Sequence, residues 1–221
     1  METIITWGWT WLCILTAVML LTSWIMHLQS REFYMLDVVM RKFSILDMQF
    51  PATPGELPAL IKHIYALPEA ARQRTLSALR GQLWVDFLFM PAAYGSIFLL
   101  CLEVAAKMPP LSVCASLFSC LGWLQLLAWI CDIIENIYLL QKIRPDPVPS
   151  TQAAHRTYQW IEFIKWGVSL TGMVSALSAL LFFWVSGQYV TASLIYLLVL
   201  AAEAGVFIFL VLLVKPGKRA T

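Results

Sequence analysis

A chain of 221 residues that is 60% hydrophobic and 13% charged, with a mean hydropathy of +0.75, is excluded from the ordinary soluble class and reads as an integral membrane protein. Its net charge of +2 is too small to argue for nucleic acid, so no DNA or RNA partner is expected and the lipid bilayer is the first partner. The five cysteines, Cys13, Cys101, Cys114, Cys120 and Cys131, all fall in apolar stretches without CxxC spacing and read as small hydrophobes, neither disulfides nor metal ligands.

The first apolar run, about 4–28, lacks a basic n-region and an A-x-A-like cleavage site and is longer than a signal h-region, so it is expected to stay as a membrane span. Trp7, Trp9 and Trp11 near its start suit the headgroup level. Residues 29–81 form the only sizeable insert between spans. Phe33, Leu36, Val39, Met40 and Phe43 recur at helical spacing among charged residues, which predicts an amphipathic helix lying in the interface. Thr53 as N-cap, Pro54 at the first helical position and Glu56 as capping-box partner predict a second helix with Leu57, Leu60, Ile61 and Ile64 on its apolar face, ending at Leu67-Pro68. A third helix from Glu69 should run without a break into the second span, about 83–106. Pro91 inside that span removes a backbone donor and frees a carbonyl one turn earlier, near Asp86.

The turn Lys107-Met108-Pro109-Pro110 leads to the third span, about 111–140, and a Pro-rich connector follows at 144–150. Span four, about 158–184, presents Ser169, Gly172 and Ala176 as a small-residue seam for close helix approach. Span five, about 189–214, offers a second seam at Ala201 and Gly205 and ends in Lys215, Lys218 and Arg219. The expected fold is therefore all-α: a polytopic helical bundle forming a single membrane domain over 1–221, with five transmembrane helices and cytoplasmic interfacial helices between the first and second. Of the 15 Lys and Arg residues, all but Lys107 and Lys165 fall on the side that holds the insert, the 141–157 connector and the C-terminal tail. The positive-inside rule then places the N-terminus outside and the C-terminus inside, in a plasma or bacterial inner membrane.

Span three is the unusual one. Asp132, Glu135 and Asn136 share one helical face at i, i+3 and i+4 within an otherwise apolar helix. Intramembrane charge costs several kcal/mol unless it meets a partner or a wet cavity, so this face must point into the bundle. At ~1.5 Å per residue Asp132 lies about 12 Å and Asn136 about 6 Å inside the cytoplasmic boundary. Asp86 and Glu162 sit at similar depth and Glu203 a little deeper, which sets an expected site of Asp86, Tyr94, Asp132, Glu135, Asn136, Glu162, Lys165 and Glu203. Asp86, Asp132, Glu135 and Glu162 face one intramembrane ammonium, Lys165, with Arg80 at the rim. Four carboxylates and one ammonium cannot all stay ionised in low dielectric, so some carry protons or a cation completes the site.

Plainer roles compete for each residue. Glu162 and Lys165 form an ordinary i, i+3 pair, and Glu103 with Lys107 a rim pair. Asp86 is within reach of Arg80 or the headgroups, the span-three face can serve as interhelical glue, and Tyr94 and Tyr158 are ordinary packing residues. His27, His63 and His155 share no helix face with the acids, so no metal or cofactor is expected. Three functions remain open. The first is an acidic pocket, open to the cytoplasmic side, that binds or transports a cationic or small amphipathic, lipid-like ligand. The second is a lipid-modifying enzyme using Asp/Glu acid-base chemistry. The third is a non-catalytic assembly subunit. Homo-oligomerisation is compatible with each.

Overall fold

A computed structural model of the chain describes residues 2–188 and 191–213. Along them run α1 (Glu2–Ser30), β1 (Tyr34–Leu36), β2 (Met40–Lys42), α2 (Leu46–Gln49), α3 (Glu56–Tyr65), α4 (Glu69–Lys107), α5 (Val113–Lys142), α6 (Gln152–Val185) and α7 (Thr191–Leu213). Five of the helices, all but α2 and α3, are long and apolar enough to cross a membrane. The protein is an all-α helical bundle of membrane type. Residues 189, 190 and 214, at the limits expected for span five, and the basic residues Lys215, Lys218 and Arg219 lie outside the described residues.

Helix α4 is the spine. Its 39 residues, at ~1.5 Å each, extend about 58 Å, far beyond the ~30 Å hydrocarbon core. The excess lies in its first third, where Arg72, Arg74 and Arg80 make the segment too polar for lipid. Helices α1, α5 and α6 pack on α4, α6 also packs on α5, and α7 packs on α1. The connections are short and well capped: the Ser112 hydroxyl accepts from Ala115 N at 3.1 Å to start α5, and Thr151 accepts from Ala154 N at 3.2 Å to start α6. Between α4 and α5, Leu111 takes a left-handed backbone (φ 62°) that lets the chain reverse directly after two prolines.

The insert differs from expectation in its first part. Residues 33–43 do not form an amphipathic helix. They form an antiparallel hairpin in which Tyr34 pairs with Lys42 and Leu36 with Met40. The Phe33 and Phe43 rings stack across it at 5.2 Å, and Lys42 lies over the Tyr34 ring. β-Branched Val38 and Val39 at the tip and aromatics at the base suit strands better than a helix. The Thr75 hydroxyl of α4 clamps the hairpin, donating to Glu32 O at 2.7 Å and accepting from Tyr34 N at 3.4 Å.

The second expected helix exists, with Leu57, Leu60, Ile61 and Ile64 all buried. It begins two residues later than the sequence pattern suggests, because the Glu56 carboxylate accepts from Ala52 N at 2.6 Å and folds the 52–55 segment into a turn ahead of the helix. Its apolar face packs on protein. Phe33, Phe43, Met48 and the α3 face join Leu79 and Leu83 of α4, Leu139 and Ile143 of α5 and Tyr158 of α6 in one core at this end of the bundle. Each such side chain, fully buried, contributes about 1.5–3 kcal/mol. A second core at the opposite end joins Trp9 and Leu12 of α1, Cys101 and Val104 of α4 and Ala176, Leu180 and Phe183 of α6. Trp9, expected at the headgroups, is buried there against Tyr196 of α7, while Trp11 is exposed. The side chain of Trp7 lies outside the described residues.

Candidate functional site

The buried polar face of α5 meets α4 and α6 just beneath the insert core. Asp132, Glu135 and Asn136 are all buried, as the i, i+3, i+4 spacing requires, and so are Glu162 and Lys165, one turn apart on α6. Lys165 is the centre of the arrangement. Its Nζ lies 3.3 Å from Asp132 Oδ1 and 3.0 Å from Glu162 Oε2, and it also pairs with Glu135 Oε2. One ammonium thus ties two helices through three carboxylates. Glu135 and Glu162 stand side by side around the Lys165 ammonium.

Neutral donors fill much of the remainder. Tyr94 Oη donates to Asp132 Oδ2 at 2.8 Å. Asn136 Nδ2 donates to Asp86 Oδ2 at 2.8 Å and to Leu83 O at 3.2 Å, joining α5 to α4. Gln49 at the end of α2 reaches down from the insert and donates to Glu135 Oε1 at 2.6 Å, while Tyr158 donates to Met48 O at 3.4 Å. The insert therefore covers the polar cluster directly. Gln49 carried no signal in the sequence: it occupies a one-turn helix before a Pro-rich loop, where no periodicity reports burial.

Seven of the eight sequence-derived residues, Asp86, Tyr94, Asp132, Glu135, Asn136, Glu162 and Lys165, belong to this one connected group. Glu203 does not. It lies on α7, which packs on α1, near Cys13, with its Oε2 buried and without a hydrogen-bond partner among the described residues. The plainer alternative of an Asp86–Arg80 pair is absent among the described residues, since Arg80 donates to Ile143 O at 3.3 Å and closes the C-terminus of α5. Asp86 is the carboxylate of the group that no lysine or arginine of the described residues meets in an ion pair.

A cavity of about 450 Å³ begins at this cluster. Gln49, Asp86, Tyr94, Asp132, Lys165 and Trp166 line one end. The rest is walled by Leu12, Thr16 and Met19 of α1, Phe89 to Leu100 along one face of α4, Ser169 to Leu177 along α6, and Leu200 of α7. The shape is that of many small-molecule sites, apolar over most of its length with a few converging polar groups. At the polar end Asp86 and Asp132 present carboxylates beside Tyr94 and Trp166, and the Lys165 ammonium lies 5.6 Å from the Trp166 ring centre. Among the described residues no group of three His, Cys, Asp or Glu side chains is arranged to hold a metal ion. No family model, curated protein or solved structure matches this chain.

Proposed function

We propose that this protein binds an organic cation within the membrane, holding the cationic group between Asp86 and Asp132 at the polar end of the cavity. The observation that carries this reading is the disposition of Asp86: it lines the cavity, its hydrogen-bond donor is the neutral Asn136, and it has no ion-pair partner among the described residues. With Asp132, Glu135 and Glu162 sharing Lys165, one further positive charge at Asp86 brings the group nearer to neutrality, which low dielectric strongly favours. An ammonium suits the place better than a hard metal ion because Trp166 and Tyr94 flank it. The basic insert and connector support a cytoplasmic placement of this end, with the N-terminus outside, the C-terminus inside and the site at the depth of the inner leaflet.

Binding of dodecyltrimethylammonium to the purified protein in zwitterionic nanodiscs tests the reading. Asp86→Asn is expected to weaken it by about tenfold or more, roughly 1.4 kcal/mol, whereas Asp37→Asn at the hairpin tip leaves it unchanged. Equal affinity in wild type and Asp86→Asn overturns it.

A further inference from the structure

The cavity has a direction and an opening that the polar end alone does not explain. Along α4 it runs from Asp86 to Leu100 and along α6 from Lys165 to Leu177, which at ~1.5 Å per residue is about 18–21 Å. One leaflet of hydrocarbon is about 15 Å deep, so the cavity is slightly longer than the chains of the surrounding lipid.

The side walls show how such a chain would enter. Helix α4 forms the floor, with α1 on one side and α6 on the other. Both pack on α4, but they are not among the helix pairs in extended contact with each other. Trp166, Leu170 and Leu177 line the cavity and are nonetheless 40%, 46% and 50% exposed, so the space between α1 and α6 opens sideways, where lipid lies. Its two ends are shut: Gln49 and the insert cover the polar end, and the core of Leu12, Leu180 and Phe183 fills the other.

Building on the cation reading, we infer that the ligand is an amphiphilic amine that enters laterally from the bilayer, with its ammonium at Asp86 and Asp132 and its chain along the groove between α1 and α6. Charge complementarity selects the head, and the apolar length of the groove selects the tail. A short polar amine gains nothing from that length.

The test uses hexadecylamine carrying a diazirine at its chain end, added to the full protein in phosphatidylcholine nanodiscs, irradiated and mapped by peptide mass spectrometry. Cross-links are expected at Ile97, Leu100, Met173, Leu177 and Leu200. They should fall on the order of fivefold with Asp86→Asn, and equally when the same probe carries a hydroxyl in place of the amine. Met173→Trp, which fills the middle of the groove, should remove the distal cross-links at Leu100 and Leu177, and an unfolding midpoint within a few degrees of wild type shows that the variant is folded. Amine binding that depends on Asp86 but cross-links spread over outward residues such as Trp123 and Ile130 overturns the groove and leaves the cation reading standing. Cross-links unaffected by Asp86→Asn, together with dodecyltrimethylammonium binding equally unaffected, overturn both.

Discussion

Lys165 and the carboxylates around it set the energetics of the polar cluster. The side chain is buried with Asp132, Glu135 and Glu162 in contact, so its removal leaves three buried acids without their shared cation. Breaking a buried ion pair by deleting one partner costs about 3–5 kcal/mol. Lys165→Met is therefore expected to lower the thermal unfolding midpoint in detergent on the order of 10 °C. Adding Glu135→Gln should recover part of that loss, since the second change removes a charge that the first left stranded. A single variant that unfolds at the wild-type temperature would show that the cluster does not hold α5 to α6. The members of this cluster were largely legible in the sequence, because charged residues in an apolar helix must turn inward and spacings of three and four fix which of them turn together. Gln49 and the exclusion of Glu203 were not legible. Gln49 is placed by tertiary docking of a one-turn helix, and Glu203 belongs to a helix whose neighbour, α1, could not be read from depth alone.

Helix packing shows the same division between what spacing dictates and what neighbours decide. Two small-residue seams were visible in the sequence, yet the structure uses them unequally. Gly172 is buried where α6 crosses α4 and α5: a methyl group there would lie 3.1 Å from Ile97 Cγ2 and 2.5 Å from Gln125 Nε2. Gln125 cannot yield freely, because that nitrogen donates to Leu121 O at 3.1 Å and to Val168 O at 3.3 Å. At Gly205, on α7, a methyl group meets nothing within 4 Å. Glycine is ~1 kcal/mol worse than alanine inside a helix, so the two substitutions should differ in sign. Gly205→Ala is expected to leave the unfolding midpoint unchanged or raise it by a few degrees, and Gly172→Ala to lower it despite the same gain in propensity. Equal shifts for the pair would mean that Gly172 is not a packing contact. The hairpin at 34–42 has a related origin. Phe33, Leu36, Val39, Met40 and Phe43 fit a helical repeat, but Val39 and Met40 end up exposed and Phe33 meets Phe43 across strands, so cross-strand pairing outweighed the 3.6-residue pattern.

For the molecule as a whole, the insert core and the Trp9–Phe183 core close opposite ends of the bundle, and the site lies against the first of them. An odd number of spans separates the insert from the 108–112 turn across the membrane, since α4 alone connects the two. Cys114, exposed at the start of α5, reports on the turn side, and Asp37→Cys, at the exposed tip of the hairpin, reports on the insert side. In sealed cells, a membrane-impermeant maleimide is expected to label Cys114 directly and the residue-37 cysteine only after permeabilisation, because thirteen of the fifteen basic residues crowd the insert side or the chain that follows it. Labelling in the reverse order would turn the bundle over. The ammonium would then sit at the outer leaflet and the groove would draw its ligand from that leaflet, although the side chains that line it would be the same. On the proposed reading, orientation decides which leaflet supplies the amine, while the α1–α6 opening decides that a leaflet supplies it at all.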